Sequence, residues 1–194
     1  MFQLLDIAKI FLAQAGIAPD GVLADFTMGN GHDTLYLASL VPQGTVYAFD
    51  VQPEALVNTR ARLEEAGVTA QTKLILDSHA NLAAYVPYDY DAGMFNLGYR
   101  PGGDKHMHTM HESTRRAVTD AIERVKPGGV VVISVYPGHD EGRTEGNMLL
   151  EMLADYDKKK YCVSHFHLVN SPDAPFIIAV EKYDKAENYR ESKA

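Results

Sequence analysis

The chain has 194 residues, a formal net charge of −8 and a single cysteine. That length suits one domain with a sizeable core, and no apolar run is long enough to span a membrane. The charge argues against a broad nonspecific grip on nucleic acid, which needs a basic face, while lone Cys162 rules out an internal disulfide and suits a reducing cytoplasm.

Residues 3–15 read as an amphipathic helix ending near Gly16. A basic start and a small-residue cleavage site are lacking, so a signal peptide is not expected. Gly21-Val22-Leu23-Ala24 is a short buried strand, and Leu35 to Leu40 has helical apolar spacing. Between them lies Asp25-Phe26-Thr27-Met28-Gly29-Asn30-Gly31-His32-Asp33-Thr34. A strand, a tight glycine turn and a helix together aim backbone N–H groups at a ligand. Gly29 and Gly31 have no Cβ and allow the main chain to approach that ligand closely.

This turn differs from a dinucleotide fingerprint, which wants a third glycine where Thr34 stands. Its carboxylates, Asp25 and Asp33, would repel a pyrophosphate but suit a cationic, amino-acid-like ligand such as S-adenosylmethionine (SAM). The second strand, Val46 to Asp50, ends in an acid nineteen residues after Gly31. An acid there can accept both ribose hydroxyls of an adenosine. SAM is therefore favoured over NAD as the ligand.

Pro53 opens a helix through Glu65, and Gly67 caps it. Thr72 to Asp77 is a third strand, followed by Ser78-His79 and a short helix. Tyr90 to Asn96 is a fourth strand. Gly98 to Lys105 is a glycine-rich polar loop of the kind that carries function. Thr109 to Val125 reads as a helix stopped by Lys126-Pro127-Gly128-Gly129. Val130 to Tyr136, the most continuous apolar strand, is placed centrally in a parallel sheet. Pro137 to Gly142 is a second polar loop, and a helix from about Thr144 to Tyr156 follows. Tyr161–Val169 and Phe176–Lys182 are joined through Asn170 to Asp173, which implies an antiparallel hairpin. The tail from Asp184 is polar and expected to fray.

Strands alternating with helices and closed by a hairpin give an α/β sheet that is parallel except at its edge. One domain over residues 1–194 is expected. Ligands in such sheets lie at the carboxyl ends of the strands. Asp25–Asp33, Asp50 with Gln52, Asp77–His79, Asn96–Tyr99 and Tyr136–Glu141 all fall there. Singly, each is an ordinary loop polar residue; their convergence marks a site. His106, His108, His111 and His139 have spacings that metal ligands use, but no cysteine pair or H-E-x-x-H supports a metal. No metal is expected.

Three motifs carry a resemblance: Thr27 to Thr34, Asn96-Leu97-Gly98-Tyr99-Arg100-Pro101-Gly102-Gly103-Asp104-Lys105, and Tyr136-Pro137-Gly138-His139-Asp140-Glu141-Gly142. In this order they resemble the small bacterial family labelled putative rRNA methylase, over nearly the whole chain. The resemblance implies a Rossmann-like class I SAM-dependent methyltransferase with a seven-stranded sheet and helices on both faces. Characterised members methylate the aminomethyl group of 5-aminomethyl-2-thiouridine at the tRNA wobble position, in the anticodon stem-loop. Methylation of rRNA or of a small molecule, and noncatalytic SAM binding, stay open as alternatives.

Carried over by position, the resemblance implies that the turn residues Asp25, Thr27, Met28, Gly29, Asn30, Gly31, His32 and Asp33 surround SAM. Asn30 and Asp33 would hold its methionine end, Asp50 and Gln52 its ribose, and Ser78 with His79 would lie beside the adenine. Asn96 begins a motif similar to the N-P-P-Y of amino methyltransferases, with Leu97 and Gly98 in place of the prolines. Asn96 would orient the amine, Tyr99 would stack on the base, and Asp104 or His139 would take the proton. Arg100 and Lys105 would hold phosphates, with Tyr136 also facing the substrate. A homodimer is compatible with this reading, since a second subunit would add RNA-binding surface.

Overall fold

The computed structural model describes residues 5–98, 111–138 and 140–184. Seven strands form one sheet: β1 (Val22–Asp25), β2 (Thr45–Asp50), β3 (Thr72–Leu76), β4 (Tyr90–Leu97), β5 (Val125–Val135), β6 (Tyr161–Phe166) and β7 (Phe176–Lys182). Their order is β3-β2-β1-β4-β5-β7-β6. The first five run parallel, and β7 lies antiparallel between β5 and β6. The α/β class, the mostly parallel sheet and the closing hairpin are as expected.

Side-chain alternation divides the sheet into two covered faces. On one, Val130 and Val132 of β5 pack with Ala8 and Leu12 of α1 (Leu5–Gln14) and with Leu37 and Ala38 of α2 (His32–Leu40). Ala55 of α3 (Pro53–Ala66) joins Met28 and Ala48 in a small cluster of its own. On the other face, Val131, Ile133 and Val135 meet Ala117 and Val118 of α4 (His111–Arg124) and Leu149 and Leu153 of α5 (Asp140–Ala154). Helix boundaries follow local chemistry. Pro53 starts α3 in its first turn, and Gly67 ends it in a left-handed conformation at φ 71°.

Beyond shifts at element ends, such as β6 stopping at Phe166 rather than Val169, three details differ from the sequence reading. Lys126 to Gly129 is not a loop between helix and strand, because Val125 already pairs with Tyr90 and the ladder resumes at Ala92 with Val130. The intervening residues bulge out opposite Asp91, with Gly128 at φ 81°. Lys126 folds back to pair with the Asp91 carboxylate, which also accepts the Val22 N–H at 2.7 Å. Secondly, the central strand is β4, buried at every position but Asn96, while β5 has an antiparallel neighbour. Finally, α5 begins at Asp140, so Asp140 to Gly142 belong to a helix rather than to the polar loop. Asp140 and Glu141 suit that first turn because acids favour the positive end of the helix dipole. Residues 185–194, and with them most of the expected frayed tail, lie outside the described residues.

The strand order sets the location of the site. From β1 the chain builds outward through β2 to β3, then returns to place β4 on the other side of β1. A crevice opens where the order reverses, outside the carboxyl ends of β1 and β4.

Candidate functional site

Asp25 ends β1 and is 1% exposed. Its carboxylate accepts the Thr27 N–H at 3.1 Å and the Thr34 hydroxyl at 2.6 Å. Burial, followed by the charges of Asp33 and Asp50, pushes its pKa up to about 7 despite those two hydrogen bonds. The glycine turn follows. Gly29 and Gly31 stand at φ 50° and 78°, and the Gly31 N–H closes the turn onto the Met28 carbonyl at 2.7 Å. A Cβ on Gly31 would lie 2.8 Å from the Thr59 side chain, so α3 packs directly against this backbone. Among the described residues no side chain caps the start of α2, which leaves its first N–H groups to a ligand.

Asp50, at the end of β2, ties the turn to the sheet. One oxygen accepts the Gly29 N–H at 3.0 Å and the other the Gln52 N–H at 2.9 Å. On the opposite side, Asn96 meets three residues. Its N–H donates to the Thr27 hydroxyl at 2.6 Å, and its Nδ2 donates to Asp33 at 2.5 Å. Its Oδ1 accepts the Tyr136 hydroxyl at 3.1 Å. Burial and the charge of Asp33 raise the Tyr136 pKa, so the phenol stays protonated as a donor.

His79 is 8% exposed, and burial lowers its pKa, which keeps the ring neutral at neutral pH. Nδ1 lies 3.1 Å from the Phe26 carbonyl, which can only accept, so Nδ1 carries the proton. Nε2 is then an acceptor, and among the described residues it is buried with no partner. Ser78 caps the short 3₁₀ turn at His79–Ala84 by accepting the Ala80 N–H at 3.2 Å.

The expected site residues thus divide into groups. Thr27, Asp33, Asn96 and Tyr136 come together, as do Gly29, Asp50 and Gln52. Met28 is a core residue, and His32 is exposed at the start of α2. Asn30 is exposed and held to α3, with Oδ1 accepting from Asn58 at 3.1 Å and its carbonyl from Arg62 at 2.7 Å. Tyr99, Arg100, Asp104, Lys105, His106, His108 and His139 lie outside the described residues. Two supporting residues escaped sequence reasoning: Thr34 bonds Asp25, and Thr59 donates to the Gly29 carbonyl at 3.2 Å. Asp77, which the sequence already places at the carboxyl end of the third strand, accepts from Asn81 and Tyr85 at 2.8 and 2.9 Å. Thr34 had a signal, since it occupies the place of the third glycine.

The arrangement fits SAM. Among the described residues the backbone at Gly29 is open, for a Cβ there would meet nothing nearer than 3.9 Å. Carboxylates flank the turn, and the orphaned Nε2 of His79 offers an acceptor of the kind an adenine amine would use. The family model described as "Putative rRNA methylase" matches residues 46–181. The chain belongs to that family. A relative from Arabidopsis thaliana, the chloroplastic tRNA (mnm(5)s(2)U34)-methyltransferase, is 32% identical over 188 residues, 91% of this chain and 68% of that one. A crystal structure of a "putative rRNA-methylase" from Clostridium thermocellum is 34% identical, with a TM-score of 0.89 over 94% of this chain and 98% of the other. A "putative methyltransferase" from Streptococcus mutans, solved in complex with SAH, is 33% identical, with a TM-score of 0.85 over 94% and 99%. Family and fold together make the chain a SAM-dependent methyltransferase.

Proposed function

We propose that this enzyme methylates RNA, and that its substrate is the aminomethyl group of 5-aminomethyl-2-thiouridine at the tRNA wobble position, giving 5-methylaminomethyl-2-thiouridine. The observation that carries the proposal is the similarity to a tRNA (mnm(5)s(2)U34)-methyltransferase over 91% of the chain. The site is consistent with an amine acceptor, because Asn96 presents a carboxamide at the carboxyl end of β4.

Bound SAM supplies a methyl group on a positively charged sulfur. Asp33 and the N-terminus of α2 would hold its methionine end, Asp50 and Gln52 its ribose, and Ser78 and His79 its adenine. The acceptor must be a neutral amine with its lone pair free, whereas a primary alkylamine is mostly protonated at neutral pH. Asn96 Oδ1 accepts an amine N–H and so directs the lone pair away from itself, toward the methyl group. An aspartate at that position would favour the unreactive ammonium instead. Tyr99 stacks on the base, Asp104 or His139 receives the released proton, and Arg100 and Lys105 hold the RNA backbone. Alignment then carries most of the rate enhancement. We place the activity in the cytoplasm and read the enzyme as a homodimer whose second subunit extends the RNA-binding surface. Sedimentation tests the dimer. Among the described residues, no helix is long and apolar enough to cross a membrane.

Mass spectrometry of tRNA nucleosides from cells with and without the protein tests the substrate. Loss of 5-methylaminomethyl-2-thiouridine with accumulation of its aminomethyl precursor is the expected result. Unchanged tRNA with an unmethylated site in rRNA would replace this reading with the one in the family's description.

A further inference from the structure

Two segments far from Asn96 in sequence, the turn from Thr27 to Asp33 and Tyr136 just past the end of β5, hold it at three different atoms. The first contact ends a ladder. Strands β1 and β4 pair as far as Asp25 with Met94, and the Phe26 N–H still bonds the Met94 carbonyl at 2.9 Å. One step further, the Phe26 carbonyl faces His79 Nδ1. The Asn96 N–H is taken up instead by the side chain of Thr27, at 2.6 Å. A hydroxyl thus stands in for a backbone carbonyl, and β1 can leave the sheet while Asn96 stays anchored to it.

The other two contacts set the polarity of the carboxamide. A carboxylate only accepts, so the Asn96 side chain must turn its amino group toward Asp33. Its carbonyl oxygen then faces the Tyr136 hydroxyl, which donates to it. A carbonyl oxygen has two lone pairs, and among the described residues Tyr136 alone uses one. That leaves one acceptor position for a substrate N–H. In the reversed orientation, the amino group would donate to the amine's lone pair and occupy the electrons that must attack the methyl carbon.

We propose that Thr27, Asp33 and Tyr136 are positioning residues that clamp the Asn96 carboxamide with Oδ1 presented to the methyl-accepting amine. The proposal rests on the reading of Asn96 as the residue that receives that amine. It gives Asp33 a second role beyond the methionine end of SAM, coupling the cofactor turn on α2 to the acceptor strand β4. Thr27 acts on the backbone of Asn96, and Tyr136 on the oxygen that does the orienting.

Two measurements test the clamp. The first needs neither SAM nor RNA: the Asn96 side-chain amide signals in a ¹⁵N-labelled protein, assigned by their loss in Asn96→Ala. In the wild-type enzyme one amide proton should be shifted downfield and exchange slowly, and Asp33→Asn should speed that exchange about tenfold or more as the bond to a charged acceptor is lost. The second is the single-turnover rate on aminomethyl-thiouridine tRNA, with SAM affinity measured by calorimetry on the same proteins. Tyr136→Phe and Thr27→Val should slow methyl transfer about 10–100-fold, and in Tyr136→Phe, outside the cofactor turn, SAM affinity should change far less, the signature of lost orientation. Thr27→Ser, which keeps the acceptor oxygen, should recover most of the rate lost in Thr27→Val. Wild-type amide exchange in Asp33→Asn, or wild-type transfer rates in both Tyr136→Phe and Thr27→Val, would overturn the clamp. A wild-type enzyme that leaves this tRNA unmethylated overturns the substrate reading, and with it the amine as the group addressed.

Discussion

Replacing Asp25 by asparagine should make the protein more stable at alkaline pH and alter its response to pH. The Asp25 carboxyl is 1% exposed, and burial first, then Asp33 and Asp50, raises its pKa from 3.8 to about 7. Between these two values the folded state keeps a proton that the unfolded chain has released. Stability therefore falls as pH rises through this window, and the loss is complete above the folded pKa. A shift of roughly three units corresponds to about 4 kcal/mol in total, of which about 2 kcal/mol is lost between pH 5.5 and 8. Asparagine resembles the protonated acid. Its Oδ1 can accept the Thr27 N–H, and its Nδ2 can donate to the Thr34 hydroxyl oxygen, replacing both bonds that Asp25 makes. In a domain of this size 2 kcal/mol moves the melting midpoint by about 4–8 °C. Thermal melts of wild type and Asp25→Asn should thus diverge by about 4–8 °C from pH 5.5 to pH 8, with the variant the higher. Neutral, buried His79 acts in the opposite direction, favouring stability as pH rises through the unfolded histidine pKa, but equally in both proteins, so it cancels in the difference. Melting curves that run parallel across this range would show that Asp25 does not titrate there, and the reasoning would fail.

Asp50→Ala removes the proposed ribose acceptor and the tie to the Gly29 and Gln52 N–H groups together; SAM affinity in calorimetry should weaken by more than about 100-fold, from two charge-assisted bonds lost. Gly31→Ala forces a side chain into a left-handed backbone and against Thr59; denaturant melts should show a loss of at least about 1–2 kcal/mol from the backbone alone. Asp91→Ala leaves the Val22 N–H and Lys126 without their shared acceptor. Because the pair is only partly exposed, the loss should be about 2–4 kcal/mol, and Asp91→Asn should recover part of it. Arg100→Ala with Lys105→Ala should weaken tRNA binding and flatten its dependence on salt; binding unchanged across a salt series would move the RNA to another surface.

The element types were legible because each follows from a local period. Buried parallel strands such as Val130 to Val135 read as continuous apolar runs, and Pro53 and Gly67 mark helix ends through their own backbone preferences. The site was legible to the same depth: polar residues directly after apolar strands fall at the carboxyl edge of an α/β sheet, whatever the strand order. Pro127-Gly128-Gly129 misled for a complementary reason. Its local chemistry says stop, but fully buried Val125 gains a partner in Tyr90, and that long-range pairing carries the strand through the bulge. The same holds for β7, whose apolar pattern declares a buried strand without naming β5 as its neighbour. Above all, Thr27 and Asn96 are 69 residues apart, and Asp33 and Asn96 are 63 apart. Only the reversal of strand order between β1 and β4 brings these side chains within hydrogen-bonding reach. A residue's own chemistry and its near neighbours determine the element it joins; which lone pair of Asn96 faces the crevice depends on partners that folding alone brings to it.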